Sequence, residues 1–168
     1  MAATTFRKAV ESDIDGIMTI IGQAVSQMLR EGKRQWNDTY PQRSHIAGDI
    51  ARGCGYVMCS GEGLAAYGAV MFGGEPSYGC IRGRWLSDGP YVVLHRLAVA
   101  EGMKGRGVGA RFMAEVEKMA AARGVRSFKV DTNHDNTRMR RLLGKLGFTY
   151  CGEISYQHGD RMAYEKPI

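Results

Sequence analysis

The segment "LAVAEGMKGRGVGA" (Leu97–Ala110) places glycines at 102, 105, 107 and 109 between two strongly patterned stretches. Upstream, "YVVLHRLAV" (Tyr91–Val99) is a near-continuous apolar run, the pattern of a strand buried on both faces. Downstream, Val108, Phe112, Val116 and Met119 recur at helical spacing until Gly124. A strand that passes through bare backbone into a helix builds an anion site. The first N–H groups of a helix lack partners and carry partial positive charge. Glycines let the chain approach a phosphate closely and adopt positive φ. Lys104 and Arg106 add charge-assisted contacts from within the loop.

Gly105, Gly107 and Ala110 satisfy G-x-G-x-x-A, and Asp131 follows about 20 residues later, as in a dinucleotide fingerprint. Three features oppose that reading. The first glycine of the fingerprint follows its strand directly, whereas five residues separate Val99 from Gly105. Only about 60 residues follow the motif, too few for a second mononucleotide half and a substrate domain. Lys104 and Arg106 also give the loop more positive charge than that fingerprint carries. An NAD(P)-dependent oxidoreductase is therefore a minor alternative. A Walker-type loop is excluded, because no G-K-[ST] follows.

With 168 residues, 44% hydrophobic and 24% charged, the chain reads as one globular domain spanning 1–168. No apolar run approaches a membrane span, and "MAATTFRKAVESD" turns polar too early for a secretory signal. Cys54, Cys59, Cys80 and Cys151 show no paired CxxC spacing, so neither a metal site nor a redox dithiol is expected. They read as free, mostly buried thiols in a cytoplasmic protein. The net charge of +6 suits an anionic ligand. Its basic residues alternate with acids, which argues against a nucleic-acid partner; the densest cluster is "RMRRLLGK" (Arg138–Lys145).

"TTFRKAV" (Thr4–Val10) reads as a strand. A helix follows, with Ser12 and Asp15 as a capping box, Ile14, Ile17, Ile21, Val25 and Met28 inward, and Gly32 at its end. "RQWNDTYP" is a loop and Gln42–Gly53 a second helix. "GYVMCS" and "LAAYGAVMF" form a hairpin about Gly61–Gly63, before the irregular insertion "GGEPSYGCIRGRWLSDGP". After the glycine-rich helix come the strand "RSFKVDT", the helix "DNTRMRRLLGKLG" with Met139, Leu142, Leu143 and Leu146 inward, and the strands "FTYCGEIS" and "RMAYEKPI". This order, β-α-α-β-β-β-α-β-α-β-β, gives an α/β (α+β) fold with a mixed sheet and helices on both faces.

At "LAVAEGMKGRGVGA" the chain resembles the GNAT superfamily of acetyl-CoA-dependent N-acetyltransferases, whose signature is Q/R-x-x-G-x-G/A opening a helix. Gly107 and Gly109 fill the glycine positions, and Lys104 stands where Gln or Arg is usual. "DNTRMRRLLGKLGF" is similar to the later N-x-x-A-x-x-L-Y-x-K-x-G-F segment at Asn136, Leu142, Lys145, Gly147 and Phe148. The resemblance extends to the element order and covers nearly the whole chain. It implies a mixed, mostly antiparallel sheet of about seven strands flanked by about four helices. It implies acetyl-CoA as cosubstrate, no metal, and a small-molecule or protein amine as acceptor, and it leaves room for a homodimer. By the same resemblance, Lys104, Gly105, Arg106, Gly107, Val108, Gly109 and Ala110 hold the pyrophosphate. Leu97, Ala98 and Val99 pair with the pantetheine arm, and one of their N–H groups polarises the thioester carbonyl. Asn136 is read either as a contact to that arm or as a helix N-cap.

Aminolysis of a thioester needs an uncharged amine, although an alkylamine with pKa about 10 is nearly all ammonium at pH 7. A general base is therefore useful, and imidazole suits neutral pH. "LHRLAV" is similar to the L-H-x-L-A-V of aralkylamine N-acetyltransferases, whose histidine is proposed to relay a proton. His95 is accordingly the candidate base, against the alternative of a hydrogen-bonded histidine inside the strand. Many members carry a tyrosine that protonates the leaving thiolate, but this chain has Leu143 there. Water, Tyr150 or Tyr156 would have to serve instead; otherwise the chain is an acyl-CoA-binding module with little activity. Trp36, Trp85 and Tyr91, with Tyr40, offer aromatic walls for an amine or an apolar tail, or else simply pack under loops. Glu75 and Asp88 read as loop acids, either drawing in an ammonium or merely solvated.

Overall fold

A computed structural model of the chain describes residues 3–61 and 63–168. Its described residues form eight β-strands and four α-helices in a mixed, mostly antiparallel arrangement. The chain divides into two compact units, Met1–Val70 with Arg96–Glu115, and Met71–His95 with Val116–Ile168.

The first unit holds β1 (Thr5–Lys8), α1 (Ile14–Arg30), α2 (Arg43–Ala51), β2 (Gly55–Ser60) and nearly all of β3 (Gly63–Met71). Its strands follow the order β1-β2-β3, and the last residues of β5 (Val92–Val99) come next. β1 runs antiparallel to β2 from Thr5↔Cys59 to Lys8↔Tyr56. β2 meets β3 as an antiparallel hairpin from Gly55↔Ala69 to Ser60↔Gly63. Glu62, in the expected turn, lies outside the described residues.

Helix α1 forms where the apolar spacing predicts it, with Ile14, Ile17, Ile20 and Ile21 buried and Val25 and Met28 packed beside them. Gly32, at φ 69°, takes the left-handed conformation just past its end. Its start differs from the expected Ser12–Asp15 capping box. A 3-10 turn, Glu11–Asp13, precedes the helix, and the Asp13 carboxylate accepts the Val10 N–H at 2.8 Å. Arg7 grips both oxygens of Asp13 at 2.7 and 2.9 Å, and this hydrogen bonding holds the carboxyl below its ordinary range. Asp15 instead faces outward and pairs with Arg43.

The second unit contains β4 (Arg82–Gly83), the start of β5, the end of α3 (Val108–Ala122), β6 (Ser127–Thr132), α4 (Thr137–Lys145), β7 (Thr149–Tyr156) and β8 (Gly159–Pro167). Its strand order is β5-β6-β8-β7-β4. β5 and β6 are parallel, and the other neighbours are antiparallel. Among the described residues the sheet has eight strands rather than about seven because the insertion contributes β4, besides a 3-10 turn at Pro76–Cys80. β4 is admitted by an unusually close approach. A Cβ on Gly83 would lie 2.2 Å from the Cys151 carbonyl oxygen, so no other residue fits there.

Along α4 only Leu143 is fully buried; Met139, Leu142 and Leu146 are half-buried. Burying a side chain such as Leu143, Phe128 or Ile154 is worth about 1.5–3 kcal/mol each. The interior of this unit also holds charge. Lys129 is 3% exposed, and its ammonium lies 4.0 Å from the Tyr91 ring centroid and 4.4 Å from that of Trp85. Burial lowers its pKa, while the rings and the nearby Glu165 carboxylate favour its charge. Glu165, fully buried, accepts from Ser127 Oγ at 2.6 Å, the Leu86 N–H at 2.6 Å and the Ser87 hydroxyl. Two buried charges thus fasten the Trp85–Tyr91 segment onto β6 and β8.

Candidate active site

β5 changes character along its length. Val92, Val93 and Leu94 are buried as expected for a doubly covered strand, but His95, Arg96 and Leu97 are only half-buried. Its ladder with β6 comprises Val92↔Phe128 and Val93↔Lys129 and goes no further. Arg96, at φ 57°, is the one non-glycine residue in the left-handed region among the described residues. Such a conformation disfavours an L-residue by roughly 1–2 kcal/mol, so something must hold it.

The holding contacts lie in the first unit. Arg96 reaches fully buried Asp49 of α2 through Nη2–Oδ1 at 2.5 Å and Nε–Oδ2 at 2.9 Å. Its Nη1 donates to the Tyr40 hydroxyl at 3.0 Å, and the Tyr67 hydroxyl donates to Asp49 Oδ2 at 2.5 Å. Burial opposes the guanidinium's charge, but Asp49 and Tyr40 outweigh it and raise its pKa. Burial, and then Asp49, raise that of Tyr67. Breaking a buried pair of this kind costs about 3–5 kcal/mol.

Leu97, Ala98 and Val99 close β5, and the Ala100 N–H bonds the Ala65 carbonyl at 2.8 Å. The glycine loop follows. Gly105 and Gly107 stand at φ 75° and 73°, and nothing lies within 4 Å of a Cβ placed on either, or on Gly102. Val108, 1% exposed, anchors the first turn of α3 in the core, while Gly109 and Ala110 stay half-buried. The loop thus leaves open space at these glycines and leads directly into the first turn of α3. Its cations are drawn inward. Lys104 Nζ bonds the Gln27 side-chain oxygen of α1, and Arg106 Nη1 rests 3.8 Å from Met103 Sδ. Gln23 accepts the Glu101 N–H at 2.9 Å, so one face of α1 steadies the loop twice.

His95 falls in the second unit. Its Nε2 lies 3.2 Å from Glu75 Oε2, with both side chains about one-fifth exposed. The His95 bond, chiefly, holds the Glu75 carboxyl below its ordinary range despite burial. An ionised Glu75 accepts the Nε2 proton, which leaves the lone pair on Nδ1. Glu75 is itself fixed: its N–H donates to the Tyr91 hydroxyl at 3.0 Å, and its Oε1 accepts from the Ser77 N–H at 3.2 Å. In the same unit, Tyr78 and Tyr156 both donate to Asp131 Oδ2, at 2.7 and 3.0 Å. Burial and Asp131 raise both phenols well above their ordinary pKa.

The remaining sequence candidates are distributed as follows. Trp36 is 4% exposed in the core with Ile17, Ile21 and Ile46, so it presents no open wall. The Trp85 and Tyr91 rings face Lys129, and Trp85 Nε1 donates to the Tyr78 carbonyl at 2.9 Å. Asn136 caps α4, accepting the Met139 N–H at 3.2 Å. Tyr150 is half-exposed and donates to Glu153 at 2.9 Å, which raises its pKa. The sequence reading names Glu75 only as a loop acid and misses both its pairing with His95 and the Asp49–Arg96 pair, because the partners lie 20 and 47 positions apart without any motif.

The profile of the acetyltransferase (GNAT) family matches residues 23–148. The chain belongs to that family. A GNAT-family acetyltransferase from Streptococcus agalactiae 2603 is 34% identical over 98% of this chain and 95% of its own, with a TM-score of 0.89. The uncharacterized N-acetyltransferase YesJ of Bacillus subtilis (strain 168) is 28% identical over 86% of this chain and 81% of its own length. YncA of Salmonella typhimurium, a putative acetyltransferase solved with its cofactor acetyl-CoA, shares the fold at 19% identity and a TM-score of 0.69, over 98% of this chain and 94% of its own. This chain is therefore a GNAT N-acetyltransferase, with acetyl-CoA as the cosubstrate of its family. None of its described helices is long and apolar enough to cross a membrane.

Proposed function

We propose that this GNAT enzyme, acting as a single domain over residues 1–168, acetylates a primary amine of a small molecule or protein. His95 is its base. The observation that carries this reading is the Glu75–His95 contact, which orients the imidazole and leaves Nδ1 able to accept a proton. Acetyl-CoA supplies an activated acyl group whose carbonyl is open to attack. His95 takes the ammonium proton directly or through one water, and the neutral nitrogen then forms the amide bond as the carbon–sulfur bond breaks. The Gly105–Ala110 turn binds the pyrophosphate through backbone N–H groups, with Lys104 and Arg106 swinging outward to add charge. Leu97, Ala98 and Val99 supply backbone N–H groups to the acyl arm.

Leu143 cannot return a proton to sulfur, and Tyr78 and Tyr156 are poor donors because their phenols are held above their ordinary range. A thiol of ordinary pKa, about 8–9, leaves tolerably as thiolate, and the second proton, shed by the nitrogen as the amide forms, reaches it through water. A cytoplasmic setting agrees with the four free cysteines. Thermal-shift measurements test the cosubstrate: acetyl-CoA should raise the melting temperature and NAD(P) should not. An amine panel monitored by thiol release then tests the acceptor class. Failure of every amine to accelerate release sinks the acetylation reading.

A further inference from the structure

We propose that Arg161 anchors a carboxylate on the acceptor, so that the enzyme acetylates a free amino acid rather than a protein amine. This rests on His95 being the base, as proposed above. Every residue concerned lies in the second unit. Side chains alternate along a strand, so His95 shares the face of Val93, and Arg161 shares that of Ala163. The register carries one face across the sheet: Val93 stands beside Lys129, Asp131 beside Ala163, and Arg161 beside Ile154. Val93, Ile154 and Ala163 pack there in one cluster with Tyr78, and Tyr156 and Tyr91 lie against it. His95 and Arg161 thus rise from the same face, on strands that only β6 separates. Two strand spacings amount to about 10 Å. The guanidinium leans back over β6 to reach Asp131, which shortens the gap. With a hydrogen bond of about 3 Å at each end, the space left suits the few bonds between the amine and the carboxylate of one small molecule.

The guanidinium is available for that contact. Arg161 is 22% exposed, and among the described residues its one hydrogen bond runs from Nη1 to Asp131 Oδ1 at 3.5 Å. A guanidinium has five N–H donors, so most of this fork is open to a bidentate carboxylate. Asp131 is 1% exposed and already accepts both phenols on Oδ2. The Tyr156 ring centroid lies 5.3 Å from the guanidinium carbon, and the charges of Glu75 and Arg161 both act on the Tyr156 phenol. Lys129, the other cation of this face, is closed between Trp85 and Tyr91. An ionised Glu75 draws the acceptor's ammonium towards His95 while Arg161 takes its carboxylate, so a zwitterion meets opposite charge at both ends. A doubly charged phosphate would be repelled by Glu75 and Asp131. A protein N-terminus or lysine carries no carboxylate at that reach and leaves the fork unpaired.

The test compares the common L-amino acids, one by one, with their carboxamides, following thiol release from acetyl-CoA. The carboxamide keeps the amine and side chain and removes only the anion. For at least one side chain, kcat/KM should be tenfold or more higher for the free acid. Arg161→Gln should bring that ratio to within threefold of one by raising KM for the free acid. The ratio is taken within one preparation, so a partly unfolded variant does not blur it. A wild type that never favours the free acid, or an unchanged ratio in Arg161→Gln, overturns the proposal. If Arg161→Gln does not fold, Arg161→Lys keeps the charge and loses the bidentate fork. It should lower the ratio at least threefold, and an unchanged ratio again overturns the proposal. Turnover of amines without preference for the acid leaves the acetylation reading standing and removes only the anchor. If no amine speeds thiol release, the acetylation reading falls. Calorimetric titration of the free amino acids into wild type and Arg161→Gln, both with coenzyme A, then decides the anchor. Binding weakened tenfold or more by the substitution supports it; no binding, or equal binding, overturns it.

Discussion

Glu75 and His95 stand 20 positions apart in the chain, yet Glu75 Oε2 lies 3.2 Å from His95 Nε2, and Glu75 is pinned by two further hydrogen bonds, one donated by its backbone N–H and one accepted by Oε1. A loop acid so tied down orients an imidazole rather than merely being solvated.

Glu75→Gln should keep the fold and lower kcat about tenfold, since the imidazole loses the partner that sets its tautomer. Stability gives an independent pH signature. The folded-state pKa of Glu75 is depressed. Its contribution is therefore fully present above the ordinary glutamate value of about 4.3 and is lost as pH falls through the lower folded-state value. Urea midpoints of wild type and Glu75→Gln should differ at pH 7 and converge as the pH is lowered towards 3.

Gly107→Ala places a side chain at φ 73°, where space is open but the backbone conformation is unfavourable. It should cost about 1–2 kcal/mol of stability and weaken acetyl-CoA binding. Gly102→Ala makes the control, because Gly102 has equal space and no positive φ, so its melting temperature should change little. Denaturant melts and calorimetric titration measure both.

Leu143→Tyr introduces the tyrosine of the family pattern that the second segment resembles. Leu143 is completely buried, so the larger ring with its hydroxyl overpacks the site and should destabilise the protein by about 1–3 kcal/mol. Turnover should not rise. A faster and equally stable variant would show that α4 had room for a proton donor after all.

The sequence reading and the structure agree where information is local. The apolar run into β5, the isoleucine spacing of α1, and the glycines that open α3 each act through neighbours a few residues away. Positive φ at Gly105 and Gly107 is the physical reason those letters are glycine. Contacts between distant residues leave no periodicity, and there the reading fell short. β4 depends on Gly83 meeting Gly152 across a strand pair. The start of α1 depends on Arg7 reaching Asp13 rather than on the Ser12–Asp15 spacing. Trp36 was legible as an aromatic in a loop, but its burial among isoleucines follows only from packing. Trp85 and Tyr91 likewise acquire their positions from a lysine on β6.

The most direct test of the account is the pre-steady-state and steady-state rate of acetyl-CoA thiol release by His95→Gln with an accepted amine, alongside its thermal shift with acetyl-CoA. Loss of a general base should lower kcat by about 10²–10⁴-fold. The acetyl-CoA shift should stay at the wild-type value, because the cradle at Gly105–Ala110 is intact. A His95→Gln enzyme that turns over within twofold of wild type would contradict the account.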